Sequence, residues 1–334
     1  MSDLASKWLV LETEARASSA LALSAVSSGV RVEAGEIEVA ADAQGRRYLL
    51  LPLLPGEAVN EDREGQAVHF YRLRLGGVDM AALVCLEPRL HDIFYRLCAE
   101  ALEGIDESAS PARHAGTMLS KWKELLAPSK DTHLGDGPLV GLIAELLCLG
   151  ELSARGHSSP IDAWTGPLKA RHDFECGAVA LEVKGSLLRE GRKVTINGVD
   201  QLDRAPADRL LLAFHRFERC LPEQGLTLNA VLDELLESGL AASDLYKKIA
   251  AEGVPISDLN HYAARPFRLL ERSLYDTAGE AFPSITRQSF AGGVLPPGTS
   301  NLSYAIDLTN APPVPLTEEQ AEAAWADLAG VRHV

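Results

Sequence analysis

Residues 164–185 read Trp-Thr-Gly-Pro-Leu-Lys-Ala-Arg-His-Asp-Phe-Glu-Cys-Gly-Ala-Val-Ala-Leu-Glu-Val-Lys-Gly. Val179, Leu181 and Val183 alternate with Ala180, Glu182 and Lys184, the two-residue period of a half-buried strand. Upstream, His172, Asp173, Phe174 and Glu175 run into Cys176-Gly177, which predicts a two-residue hairpin turn with glycine where positive φ is needed. That turn pairs Glu175 with Ala178 and Asp173 with Ala180. Directly opposed residues share a face, and so do residues two apart on a strand. Asp173, Glu182 and Lys184 therefore project the same way. The two carboxylates become diagonal neighbours, about 7–8 Å apart at Cα, close enough for their oxygens to meet at one ion.

A hard divalent cation such as Mg²⁺ prefers carboxylate oxygen and keeps several waters. Held by Asp173 and Glu182, it would polarise a scissile phosphate and acidify an attacking water. Lys184 stands one strand step beyond Glu182, placed to orient that water or to neutralise charge developing on phosphorus. Glu145 adds a third acid. It is the only charged residue between Asp136 and Glu151, and its helical neighbours are Gly141, Leu142, Cys148 and Leu149. A carboxylate in such surroundings is costly unless paired or bound to an ion, so it is expected to face the same cation.

Outward from this stretch, Asp136 before Gly137-Pro138 opens a predicted helix over 139–152. Three strands are expected after it, then a short helical segment near 200–204 and a fourth strand over 209–217. Helices resume at 226–238 and 242–252, and the last seventy residues mix strand and loop. Toward the N-terminus, residues 30–87 alternate apolar with polar between glycine turns at Gly35, Gly45 and Gly76-Gly77, which predicts a small sheet. Helices are expected over 89–102 and 112–126, and a linker over 128–137. The resulting division is a β-rich domain (1–88), a helical connector (89–130), a core (131–220) and a C-terminal helical and mixed region (221–334).

The composition is that of an ordinary globular chain of 334 residues with ample apolar material. No run approaches the roughly 20 uncharged apolar residues that span a bilayer, and no signal peptide is recognisable, so no membrane partner is expected. The five cysteines are scattered, never as C-x-x-C, which argues against a disulfide framework or zinc cage and for a reduced, cytoplasmic protein. The formal charge of −15 disfavours indiscriminate DNA binding. Between 160 and 220, however, ten Lys/Arg meet nine Asp/Glu, a net of +1 that leaves −16 elsewhere. Arg189, Arg192 and Lys193 flank Glu190-Gly191, an expected hairpin tip able to grip phosphates. There is neither a G-x-x-x-x-G-K-[ST] loop nor a G-x-S-x-G elbow.

The order helix-Glu145, Asp173, Glu182-x-Lys184, then Gln201 on a following helix resembles the PD-(D/E)XK nuclease superfamily. More narrowly, Trp164-x-Gly-Pro with His172-Asp173-Phe174, Glu182-Val183-Lys184 and Gln201-Leu202 resembles a prokaryotic PD-(D/E)XK family found among restriction and phage-defence genes. The motifs span about 136–220, and His172 replaces the proline before the aspartate. The resemblance implies a mixed α/β (α+β), restriction-endonuclease-like α-β-β-β-α-β core, with Glu145, Asp173 and Glu182 as metal ligands. It adds the Val183 carbonyl as a further ligand, Lys184 as the residue handling water, and Gln201 as a member of the site.

The expectation is a Mg²⁺-dependent DNA endonuclease, with Mn²⁺ able to substitute, acting as the cleavage subunit of a restriction or phage-defence system. An ATPase or methyltransferase would be its partner, and double-strand cutting would favour a homodimer. The rival reading is a catalytically inert nuclease-like module for DNA binding or complex assembly. RNA as substrate stays open.

Overall fold

The computed structural model describes residues 2–17, 23–64, 67–105, 110–123, 125, 133–279, 281–299 and 302–330. It forms two compact units. One comprises Met1–Lys130, Ala241–Lys247 and Pro255–Ser257; the other comprises Asp131–Leu240, Lys248–Val254 and Asp258–Val334. The expected sheet domain and helical connector thus fall in one unit, and the core and nearly all of the C-terminal region in the other.

The first unit opens with α1 (Ser2–Ala17), which the alternation over 30–87 gave no reason to expect. Leu4, Trp8, Leu11 and Ala15 are buried at helical spacing and hold it down. Five strands follow: β1 (Ser24–Val32), β2 (Gly35–Ala41), β3 (Arg47–Pro52), β4 (Val68–Leu75) and β5 (Val78–Cys85). They form an antiparallel sheet in the order β1-β2-β3-β5-β4. Gly76 and Gly77, both at positive φ, close the two-residue turn between Leu75 and Val78. Then come α2 (His91–Glu103) and α3 (Pro111–Trp122), the latter capped by the Ser110 hydroxyl, which accepts from Arg113 N. The helix expected to reach 126 stops at Trp122, and residues 126–132, including half of the expected linker, lie outside the described residues.

The second unit starts with α4 (Asp136–Ala154) and α5 (Pro160–Ala163). Next come β6 (Phe174–Cys176), β7 (Val179–Ser186), β8 (Lys193–Asn197), β9 (Arg209–Arg219) and α6 (Leu228–Glu237). After α7 (Ala242–Ala251), of which the residues from Lys248 belong here, follow α8 (Leu259–Tyr262), β10 (Phe267–Asp276), β11 (Ser303–Asp307) and α9 (Glu318–Ala329). The sheet order is β10-β9-β7-β6, with β7 and β9 parallel and the outer pairings antiparallel.

Two details differ from expectation. Residues 200–204 form turns and no helix. Gly198, at positive φ, precedes this stretch and Pro206 follows it, and the residue before a proline is biased away from the helical region. Nor does β8 extend the main sheet; it pairs antiparallel with β11, from Ser303↔Asn197 to Asp307↔Lys193. That ribbon lies over one sheet face, where Val194, Ile196 and Ile306 pack with Ala180, Leu210, Leu212 and Phe214.

The opposite face of β7 carries α4. Nine of its residues are buried, among them Leu139, Ile143 and Leu146, which accounts for an apolar sequence with no clean polar side. By length and composition this helix could cross a bilayer, but it serves as a core helix here. Its approach depends on Gly185. A Cβ there would lie 2.6 Å from the Val140 carbonyl oxygen and 2.9 Å from Gly141 N. The missing side chain lets helix and strand backbones touch.

Candidate active site

The hairpin that carries the acids turns at Gly177-Ala178, between Cys176 and Val179, one residue later than expected. The first central residue of such a turn takes positive φ, and Gly177 does so at 67°. Cys176 would be strained there, which is why the turn shifts. Pairing consequently runs Phe174↔Leu181 and Glu175↔Ala180. This register is displaced by two residues from the expected one, and a two-residue displacement returns every side chain to its original face. Asp173, just before β6, comes level with Glu182 instead of diagonal to it.

Asp173 is fixed on both sides. Its Oδ2 accepts from Val183 N at 2.7 Å, and its carbonyl accepts from Thr165 N and Gly166 N at 2.8 and 3.0 Å. Those bonds stitch the 164–166 segment to the hairpin, where Trp164 also bridges Phe174. From there the Trp164 indole Nε1–H donates to Glu145 Oε2 at 2.7 Å. The two acids meet around Gly166. A Cβ on it would stand 3.1 Å from Asp173 Oδ1 and 3.1 Å from Glu145 Oε2. The Trp164-x-Gly-Pro sequence thus has a physical content: an indole to hold one carboxylate, and a glycine to leave space between two.

Glu182 is 1 % exposed. The Lys184 ammonium lies 2.7 Å from its Oε1 in an ion pair, and among the described residues its Oε2 has no hydrogen-bond partner. Lys184 Nζ also donates to Gln201 Oε1 at 3.3 Å, and that oxygen accepts from Asn197 N at 2.7 Å. Gln201 sits on a turn, and it still reaches the lysine.

Burial and crowding of like charge set the protonation. Burial, together with the nearby Asp173 charge, pushes Glu182 up to about 8 against the pull of Lys184. Burial and then Asp173 raise Glu145 well above the carboxylate range, partly offset by the Trp164 N–H. Asp173 is raised by burial despite its bond from Val183 N and the charge of Lys184. Glu145 and Asp173 keep some solvent contact, and Glu182 almost none.

Two residues on α7 and its C-terminal flank were not foreseen. Lys248 Nζ donates to the Trp164 carbonyl. Glu252, four residues on and half-buried, is raised by burial and by Asp173, whose charge it shares. Only their helical spacing, which is common on any helix, marks them in the sequence. His172, which stands where the family has proline, is buried, and its Nε2 lies 3.0 Å from the Asp203 carbonyl oxygen. The basic trio is dispersed. Arg192 pairs with Glu271, Lys193 lies 3.6 Å from Asp307, and the Arg189 side chain is exposed on the 187–192 loop while its carbonyl accepts from Arg216.

Among the described residues, no three His, Cys, Asp or Glu side chains are grouped closely enough to hold a metal ion as they stand. The donors are nevertheless those a hard divalent ion takes: carboxylate oxygens of Glu145 and Asp173 on either side of a gap that one methyl group would fill, and a buried Glu182 oxygen without a hydrogen-bond partner among the described residues. In chemical type, the carboxylates of Glu145, Asp173 and Glu182 suit a hard divalent cation.

The family described as "Putative PD-(D/E)XK family member, (DUF4420)" matches residues 4–309. The chain belongs to this PD-(D/E)XK family. No curated protein and no solved structure matches it. The family match reaches far beyond the 136–220 motifs and takes in the N-terminal sheet and β11. The mixed α+β fold, with α4 against β7 and the acids at the β6–β7 hairpin, is the nuclease-like core of that family.

Proposed function

We propose that this PD-(D/E)XK family member is a Mg²⁺-dependent DNA endonuclease, serving as the cleavage subunit of a restriction or phage-defence system in the cytoplasm. The observation that carries this reading is the buried Glu182–Lys184 pair level with Asp173. A charge pair so enclosed is not favoured for stability alone, since desolvation cancels much of the attraction.

Glu145, Asp173 and Glu182 would hold the ion, with the Val183 carbonyl as a further donor. When bound, a divalent cation supplies Lewis-acid neutralisation of the phosphate. The protein groups do the rest. The Val183 N–H fixes Asp173 and the Trp164 indole fixes Glu145, so neither acid has to reorganise on binding. Gln201 Oε1 accepts a second contact from the Lys184 ammonium, at 3.3 Å. Lys184 is thereby placed to donate to a phosphate oxygen or to orient the attacking water. Burial raises the Glu182 pKa to about 8 without an ion, and a bound cation would favour its charged form.

The acidic chain, with formal charge −15, favours a partner that delivers it to DNA. An ATPase or methyltransferase of the same defence locus fits, and paired cuts call for two copies. Purified protein, alone and with the products of neighbouring genes, should cut DNA with Mg²⁺ or Mn²⁺. Asp173→Ala and Lys184→Ala should abolish cutting with unchanged circular dichroism. Equal cutting by these variants would refute the assignment. Absence of Mg²⁺ binding by calorimetry would favour an inert nuclease-like module, and RNA substrates run in parallel decide the nucleic acid.

A further inference from the structure

Glu145 comes from the middle of an apolar helix, and its carboxylate has one hydrogen bond to the protein, from the Trp164 indole at 2.7 Å. Trp164 is fully buried and its ring stacks near Phe174, 6.5 Å between centroids and 21° between planes. Its backbone is held as well: the carbonyl accepts from Lys248 Nζ, and its N–H donates to the Pro160 and Ile161 carbonyls. The indole therefore has little freedom, and Glu145 inherits its fixed direction. That direction is toward Gly166 and Asp173.

Resting on the nuclease reading above, we infer that Trp164 is a positioning residue for the metal site. It orients Glu145 through its N–H, and Lys248, from a helix beyond the expected core, anchors it. The chemistry favours this over simple packing. A buried indole needs a partner for its N–H, and a main-chain carbonyl is the usual neutral choice. Giving that bond to a carboxylate already destabilised by burial and by Asp173 aims an acid whose free energy is high without an ion. Groups that orient a metal ligand from behind typically carry a 10–100-fold share of metal affinity. The Lys248 ammonium is itself partly desolvated, its pKa lowered by burial, so its contact with the Trp164 carbonyl is no incidental surface bond.

The test uses the full-length chain and Mg²⁺ alone, measured by calorimetry, with cleavage assayed separately. Trp164→Phe keeps the ring and removes the N–H. It should weaken Mg²⁺ binding about tenfold or more and lower kcat, with KM for DNA unchanged. Lys248→Met should act in the same direction, and Lys248→Arg should restore most of the loss. These two variants leave the indole in place, so they speak even if Trp164→Phe folds poorly. A spectroscopic signature is independent of activity. The Trp164 indole N–H, one of four in the chain, should move in the proton–nitrogen spectrum of Glu145→Gln, a shift that packing alone does not produce. If Asp173→Asn abolishes Mg²⁺ binding while Trp164→Phe and Lys248→Met bind like wild type, the positioning role is wrong and the nuclease reading stands. If wild type itself binds no Mg²⁺, both fall together.

Discussion

Gly185 and Val140 bring strand and helix into backbone contact: a Cβ on the glycine would stand 2.6 Å from the valine carbonyl oxygen. Neither partner of that clash is the end of a flexible side chain, so a substitution must push α4 off β7. Gly185→Ala should destabilise the fold by about 1–3 kcal/mol in urea unfolding. Glu145 rides on α4, one turn from Gly141, and should move with it. Mg²⁺ affinity should then fall in the folded variant, which calorimetry below the unfolding range can read.

Gly166 makes the opposite prediction. Its two nearest neighbours are carboxylate oxygens, 3.1 Å from an added Cβ, which need give only a few tenths of an ångström within their hydrogen bonds, and Asp173 Cα at 3.4 Å is in ordinary contact. Gly166→Ala should therefore unfold close to wild type in denaturant. Its Mg²⁺ binding should drop about tenfold, since the methyl occupies the space between Asp173 and Glu145. A variant that melted early but bound ions normally would contradict this assignment of the glycine.

Glu182 has a raised pKa, about 8 in the fold against 4.5 for an ordinary glutamate. Between those values the folded state holds a proton that the unfolded state has lost. The associated stability is complete below pH 4.5 and disappears as pH rises through 8. In the absence of divalent ions, Glu182→Gln should be immune to that loss and exceed wild type by roughly 2–4 kcal/mol at pH 9. Added Mg²⁺ should restore stability to wild type alone. Urea midpoints across pH 5–9, with and without Mg²⁺, check both halves.

Arg189 is exposed on the loop before β8, and Lys193 is only loosely paired with Asp307. Arg189→Ala and Lys193→Ala should each weaken DNA binding to a similar degree on unrelated sequences. Each should also reduce the slope of log K against log salt by about one. Arg192 behaves differently because Glu271 already engages it. Arg192→Ala should change the slope little.

Much of this site was readable as a one-dimensional pattern. Alternation over Val179–Ser186 is a local property, and it put Glu182 and Lys184 on one face without knowledge of the partner strand. The lone charge at Glu145 in an apolar helix was likewise visible. The hidden parts are those set by contacts between distant segments. The β8–β11 pairing joins residues over a hundred positions apart, and nothing local in Lys193–Asn197 distinguishes it from a strand of the main sheet. Lys248 and Glu252 approach the acids through tertiary packing alone. Gly166 and Gly185 could be seen as glycines, but the reason for each lies in what stands opposite.

α1 teaches a different lesson. Leu4, Trp8, Leu11 and Ala15 carry a plain helical spacing, so the signal was present in the sequence. The short helix expected over 200–204 failed for the reverse reason: a brief polar stretch can look helical, while Gly198 at positive φ and Pro206 bracket it with turns.

The Gly177-Ala178 turn has a consequence for how the chain can vary. Lengthening the loop by an even number of residues, split equally between the arms, would keep Asp173 on the side of Glu182. One extra residue would rotate it to the far side unless a bulge absorbed the addition. Insertions and deletions at this tip among relatives should therefore come in pairs wherever the acids are retained, and odd ones should mark chains that have lost the ability to cut.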